Sequence, residues 1–290
     1  MTEPGDPTYQ VEHQPDLPFR LGRHVHHDPR SRAYAFTPPA GVTLQTVHWD
    51  RAVPIFDQGN LGSCTGNAAA GWLATANTLR PGLTAAQGVP VDEDYAVALY
   101  ARATQIDPYD GTWPPQDSGS DGLSVTKVLK ERGLVDTYQH AFTVDAALAA
   151  LMSGPVLVGT SWHQGMFTPD AAGVVTATGP VVGGHEYLLV GYDADAHLVT
   201  FANSWGTAWG VGGYGRMTVA TLTALLADDG DATVPHPAVA VNPPPTPQPP
   251  GRFVQLDPDV AARVARAASR RGLISEDWVN KHLRTYFRDA

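Results

Sequence analysis

The stretch Asp57-Gln58-Gly59-Asn60-Leu61-Gly62-Ser63-Cys64-Thr65-Gly66-Asn67 contains the only cysteine in the 290 residues. Gly59 and Gly62 make the approach to Cys64 a turn, and the alanine-rich run Ala68 to Ala76 that follows reads as a helix. Cys64 therefore stands at a helix N-terminus. There the helix dipole and unpaired backbone N–H groups favour thiolate over thiol. A lone cysteine can equally be a small buried hydrophobe, so this position points to nucleophilic chemistry only if partners for it lie elsewhere in the chain.

The chain is long enough for one large domain plus a small appendage. With 43% hydrophobic and 17% charged residues it has the composition of a globular protein. One cysteine cannot close an internal disulfide, so nothing here depends on an oxidising compartment. Met1 to Pro7 offer neither a basic nor an apolar signal region, and no apolar run approaches the roughly 20 residues that span a bilayer. The expectation is a cytoplasmic protein with no membrane partner. Charge is unevenly spread: residues 1–250 hold 11 Lys+Arg against 24 Asp+Glu, and residues 251–290 hold 8 against 5. An acidic body repels nucleic acid, so only the C-terminal piece could attract it.

Residues 1–45 are rich in Pro, His and Asp without helical or strand period, and read as an arm. Arg23-His24-Val25-His26-His27-Asp28 has metal-ligand residue types but no matching distant pair, so neither a metal site nor any other cofactor is expected. The folded part starts near Thr46. Helices are expected from Cys64, from Asp92 to Arg102, from Leu123 to a stop at Gly133, and from Asp145 to Met152. Strands follow at Pro155–Gly159, Glu186–Gly191, Leu198–Ala202 and Gly213–Val219. Helices first and strands second predict an α+β domain of two lobes, with a cleft for substrate between them.

A cysteine nucleophile needs a base, an orienter for that base and oxyanion donors. His185 follows two glycines that permit close backbone approach, and it precedes an apolar strand. Asn203 ends another strand, where its amide can accept the imidazole N–H and Trp205 can shield that bond. The Gln58 amide, across the glycine turn, can aim at an oxyanion together with the Cys64 N–H.

The blocks Gln58-Gly59…Gly62-Ser63-Cys64, Gly184-His185 and Asn203-Ser204-Trp205-Gly206 resemble the signature blocks of papain-like cysteine peptidases, in that family's chain order. His185 lies 121 residues after Cys64 and Asn203 139 after it, close to the family's spacing of about 130–150. The resemblance spans residues 46–234, and its Gly-Ser-Cys-Thr-Gly-Asn form is similar to the bacterial and bacteriophage branch. It implies a two-lobed papain-like fold, a polypeptide substrate, and a thiol hydrolase. In that enzyme Cys64 is nucleophile, His185 general acid/base, Asn203 orienter and Gln58 oxyanion donor. It also implies substrate contacts at Ser120, Asp121 and Gly122 in one wall of the cleft, and at Gly184, Glu186 and Trp205 around the histidine. An inward-facing Glu186 would favour a basic or polar residue beside the cleavage site. Two departures stand out. Leu61 occupies a position where secreted relatives often have a disulfide cysteine, and Thr65 replaces the usual aromatic after the nucleophile. The arm is much shorter than the inhibitory propeptides of secreted relatives. His163, the competing histidine, lacks the Gly-His block. The same triad could serve an acyltransferase, and a body that has lost activity could act as a binding protein.

Residues 235–250 contain Asn242-Pro243-Pro244-Pro245-Thr246-Pro247-Gln248-Pro249-Pro250, a polyproline linker extending about 3.1 Å per residue. Beyond it, residues 251–290 read as strand, helix, turn, helix, too few to bury a core alone. They resemble the ribbon–helix–helix module of bacterial repressors, which implies a homodimer through residues 251–290. DNA is the alternative partner, with Arg252, Arg263, Arg266, Arg270 and Arg271 available to phosphates, and docking on the chain's own body is a third reading.

Overall fold

The computed structural model describes residues 17–75 and 90–238. The expected segment 251–290 lies outside the described residues. A short 3₁₀ helix, Pro29–Tyr34, leads into strand β1 (Val47–His48). Helices α1 (Cys64–Ala74), α2 (Glu93–Ala103) and α3 (Gly122–Glu131) follow, then β2 (Val135–His140) and α4 (Val144–Leu151). Strands β3 (Val156–His163), β4 (Val181–Asp193), β5 (Leu198–Ala202) and β6 (Tyr214–Thr218) come next, then α5 (Val219–Ala227) and β7 (Asp231–Pro237). The strands form one antiparallel sheet in the order β2-β7-β3-β4-β5-β6, with β1 added to β4. The fold is α+β, as the element order predicts.

Every residue of α1 is buried. A helix apolar all round belongs inside the molecule, and α1 is seated between α2, α3 and the face of the sheet. Gly66 makes that seat possible, because a Cβ there would stand 2.8 Å from the Tyr100 backbone nitrogen in α2. Trp72, Leu73, Leu99, Val128, Leu129, Leu157 and Leu188 fill this helical core. The opposite sheet face carries a second core of aromatic residues, Trp162, Phe167, Tyr187, Phe201, Trp205 and Trp209.

Strand β4 links both cores. Side chains alternate across a strand, so His185, Tyr187 and Leu189 enter the aromatic core while Leu188 and Val190 meet the helices. Glu186 shares the helix-facing register and is fully buried with them. Leu188 is 1% exposed, and Leu188→Ala is expected to cost about 2–5 kcal/mol through lost burial and an unfilled cavity. Urea unfolding measures this, and a loss under about 1 kcal/mol would mean that α1 is not held on the sheet as described.

The observed elements extend the sequence expectations in places. Strand β3 runs on to His163, whose ring Nδ1 lies 3.0 Å from the Gly179 carbonyl oxygen. Strands β2 and β7 and helix α5 carry no clear sequence signal, and β7 takes the sheet to Pro237.

Candidate active site

Cys64 opens α1 from the helical lobe, His185 projects from β4, and Asn203 follows the end of β5. His185 and Asn203 are in direct contact, and the Cys64 thiol reaches the β4 backbone beside His185, at the Glu186 N–H. Asn203 Oδ1 accepts the Ser204 backbone N–H at 2.8 Å, which fixes that atom as the oxygen. The same oxygen lies 2.7 Å from His185 Nε2, so this ring nitrogen is the one that donates. The neutral ring is thereby held with its lone pair on Nδ1, and Nδ1 is buried without a hydrogen-bond partner. Trp205 stacks on the imidazole at 4.5 Å between centroids, and Trp162 meets it edge-on at 4.9 Å. The bond between His185 and Asn203 therefore runs through a dry aromatic cage.

Gln58 precedes Cys64 across the glycine turn. Its Oε1 accepts the Ser204 hydroxyl at 2.6 Å, which orients the amide, and its Nε2 donates to the carbonyls of Leu61 (2.8 Å) and Arg20 (3.2 Å). The last of these partners belongs to the N-terminal arm.

Residues 19–27 of the arm lie along the cleft. Phe19 stacks on Trp205 at 4.6 Å, and Arg20 forks onto Asp117 at 2.9 and 3.1 Å. Gly22 presses on the turn before Cys64 so closely that a Cβ would stand 2.6 Å from Gly62 Cα. The Ser120 N–H donates to Gly22 O at 2.9 Å, and the His24 N–H donates to Ser120 O at 2.8 Å. These two bonds make a parallel bridge at Arg23. Across the cleft, Gly184 O accepts the Arg23 N–H at 3.0 Å. The Arg23 guanidinium enters a pocket beside Glu186 and binds Asp231 and the Asp229 carbonyl. The histidines of the arm disperse: His24 contacts Ser118 O (2.5 Å), His26 Asp121 (3.1 Å) and His27 Asp229 (3.5 Å).

This cover governs the electrostatics. Cys64 and His185 are both fully buried. Burial pushes the Cys64 thiol up to about 12, against backbone N–H groups of Glu186, Gly22 and Thr65 that favour thiolate. Burial pulls His185 down to about 4, although its bond to Asn203 favours the charged ring. Under the arm the pair is held neutral.

All four expected machinery residues and all six expected substrate contacts line this one region. Asp121 also caps α3, its carboxylate accepting the Ser124 N–H. Sequence reasoning missed Asp117, which also accepts the Gly62 N–H and the Tyr100 hydroxyl (2.6 Å). It also missed the docking of Arg20 and Arg23, whose only signal is two arginines flanking Leu21-Gly22 in an otherwise acidic body. Among the described residues no group of His, Cys, Asp and Glu is arranged to hold a metal, and no helix among them is long and apolar enough to cross a membrane.

The family model described as Papain family cysteine protease matches residues 82–227, half of the chain, taking in His185 and Asn203 and starting after Cys64. The chain belongs to the papain family. Among solved structures this papain-family chain is similar to xylellain, a cysteine protease from Xylella fastidiosa. Identity is 18% over 81% of this chain and 99% of that one, with a TM-score of 0.57, which is a likeness of fold. Digestive procathepsin L 3 of Tenebrio molitor aligns at 15% identity over 75% of each chain, with a TM-score of 0.49. The ragweed pollen cysteine protease Amb a 11, in its proform, aligns at 17% over 68% of this chain and 67% of that one, also at 0.49. A comparison with curated protein sequences finds no significant match. The chain is a papain-like cysteine peptidase.

Proposed function

We propose that Cys64, His185 and Asn203 form the catalytic triad of this peptidase, that Gln58 and the Cys64 N–H stabilise its oxyanion, and that the arm holds it latent. The observation that carries the triad is the His185 bond to Asn203, which leaves Nδ1 as the basic nitrogen in a water-excluding cage. Once the arm leaves, Nδ1 takes the thiol proton and the thiolate attacks a peptide carbonyl. The C–N bond breaks as the imidazolium protonates the departing amine, leaving a thioester on Cys64. Water then loses its proton to His185 and adds to the thioester, and the acid leaves with the thiol restored. Asn203 carries no charge, so it orients the ring without a second anion beside the thiolate.

A thiol-directed epoxide tests the reading. With the arm displaced, it should add to Cys64 at neutral pH by ring opening, and intact mass should show one adduct that Cys64→Ala and His185→Ala lack. Failure to label wild type under those conditions would leave a catalytically silent papain-like binding protein. Release of an amide rather than an acid, when a second amine is supplied, would instead favour acyl transfer. Gln58→Ala should lower kcat by roughly 10²-fold, the usual cost of an oxyanion donor, with KM little changed. A change confined to KM would remove Gln58 from that role.

The wider layout is part of the same proposal: arm 1–45, peptidase domain 46–234, linker 235–250, and an assembly module at 251–290. The module rests on its strand-helix-helix pattern, with dimerisation favoured over DNA binding because Phe253 is a poor base reader. Sedimentation with and without residues 251–290 tests it. A reducing, cytoplasmic setting and membership of the bacterial or bacteriophage branch are supported by Leu61, by the lone cysteine and by the form of the Cys64 block.

A further inference from the structure

The pocket that receives Arg23 has features that a mere seat for the arm would not need. We infer that it is a guanidinium-selective subsite, so that the peptidase acts on chains with arginine one residue away from the residue whose carbonyl meets Cys64. This rests on the peptidase reading above.

The position follows from Gly22, which lies against Gly62 and the Cys64 thiol, while the next residue, Arg23, turns its side chain into the pocket. The chemistry follows from the walls. Glu186 is fully buried by the alternation of β4, and neither of its carboxyl oxygens has a hydrogen-bond partner. Asp231, at the start of β7, takes one Arg23 nitrogen, and the Asp229 carbonyl accepts from the same nitrogen at 2.7 Å. Two glycines make the room. A Cβ on Gly122 would stand 2.6 Å from Glu186 Oε1, and one on Gly159 would stand 2.6 Å from Arg23 Nε and 3.0 Å from Asp231 Oδ2.

A fully buried carboxyl beside a second, largely buried one is costly unless a cation meets them. Burial and the neighbouring Asp231 push Glu186 well above the usual carboxylate range, and Arg23 is the cation that opposes this. An apolar substrate side chain would leave Glu186 desolvated and unmatched, a strong basis for rejection. Arginine suits the site better than lysine, because its planar fork can reach both carboxyls at once. Arg23 itself uses one terminal nitrogen, leaving Nε and Nη1 without hydrogen bonds. A peptide free of the arm's other anchors can engage Glu186 as well.

The test uses the full chain with Gly22→Ala, which lifts the arm from the Cys64 turn, and Arg23→Ala, which empties the pocket, together with dipeptidyl acyloxymethyl ketones X-Ala. The Cys64 thiolate displaces the carboxylate leaving group, forming a thioether that intact mass reports. X is arginine, its uncharged isostere citrulline, lysine or norleucine. The arginine probe should label about 10²-fold faster than norleucine or citrulline, with lysine between. Adding Glu186→Gln and Asp231→Asn should bring arginine and norleucine within about threefold. If those variants do not fold, the citrulline comparison carries the same decision. Norleucine labelling as fast as arginine overturns the subsite and leaves the peptidase standing. No adduct on Cys64 with any probe overturns both.

Discussion

Gly22→Ala should raise peptide hydrolysis by the full chain roughly 5- to 150-fold, the effect of a 1–3 kcal/mol overpacking penalty placed on the covered state alone. The added methyl has no room. It would stand 2.6 Å from Gly62 Cα and closer still to the Gly62 carbonyl group, which is backbone of the nucleophile turn and cannot rotate aside. The arm must lift at its centre, and its other anchors then share the strain. Arg20 must loosen from Asp117, the Gly22–Ser120–His24 pairing must open, and Gln58 Nε2 must lose the Arg20 carbonyl. The uncovered state has no contact between residue 22 and Gly62, so it feels none of the penalty. Water reaching the thiol and imidazole also removes the burial that pushes Cys64 up to about 12 and His185 down to about 4. Iodoacetamide alkylation of Cys64 should therefore rise with pH over a lower range in Gly22→Ala than in wild type. Unchanged hydrolysis and unchanged alkylation would show that the arm does not limit access.

The four residues proposed as the machinery stand out in the sequence because their types and spacings follow chemistry and a fixed chain order. The arm's role is not, because its contacts join distant residues: Arg20 and Asp117 are 97 apart, and Arg23 and Asp231 are 208 apart. No periodicity marks such pairs. Asp117 reads as one acid in a turn-rich segment, yet it ties together the arm, the nucleophile turn and α2. Strand β2 is obscured by its polar residues, which an edge strand tolerates, and β7 by Pro235 and Pro237, which cannot donate to a ladder. Glu186 is legible by adjacency: once His185 is fixed on a strand, the next side chain must face the opposite way. What that side meets, a second acid and an incoming arginine, needs the fold.

In the Gly22→Ala chain, Cys64→Ala should lower kcat/KM by on the order of 10⁴ or more, and His185→Ala by a similar factor. The size follows from the cleft. Without the thiol, hydrolysis must use water held by Gln58 and the backbone N–H at residue 64, with no thioester to divide the barrier. Without the imidazole, nothing within the aromatic cage can take the thiol proton or protonate the leaving amine, because Asn203 is uncharged and Trp162 and Trp205 are not bases. Non-additivity is the sharper readout. Two groups that act through one proton transfer fail together, so the double variant should be no slower than either single variant by more than about threefold. Asn203→Ala should be milder, because the stacked Trp205 still holds the ring, and its loss should fall on kcat rather than KM. If the two large effects instead multiplied, Cys64 and His185 would be working in separate steps, and the pairing assigned to them would have to be abandoned.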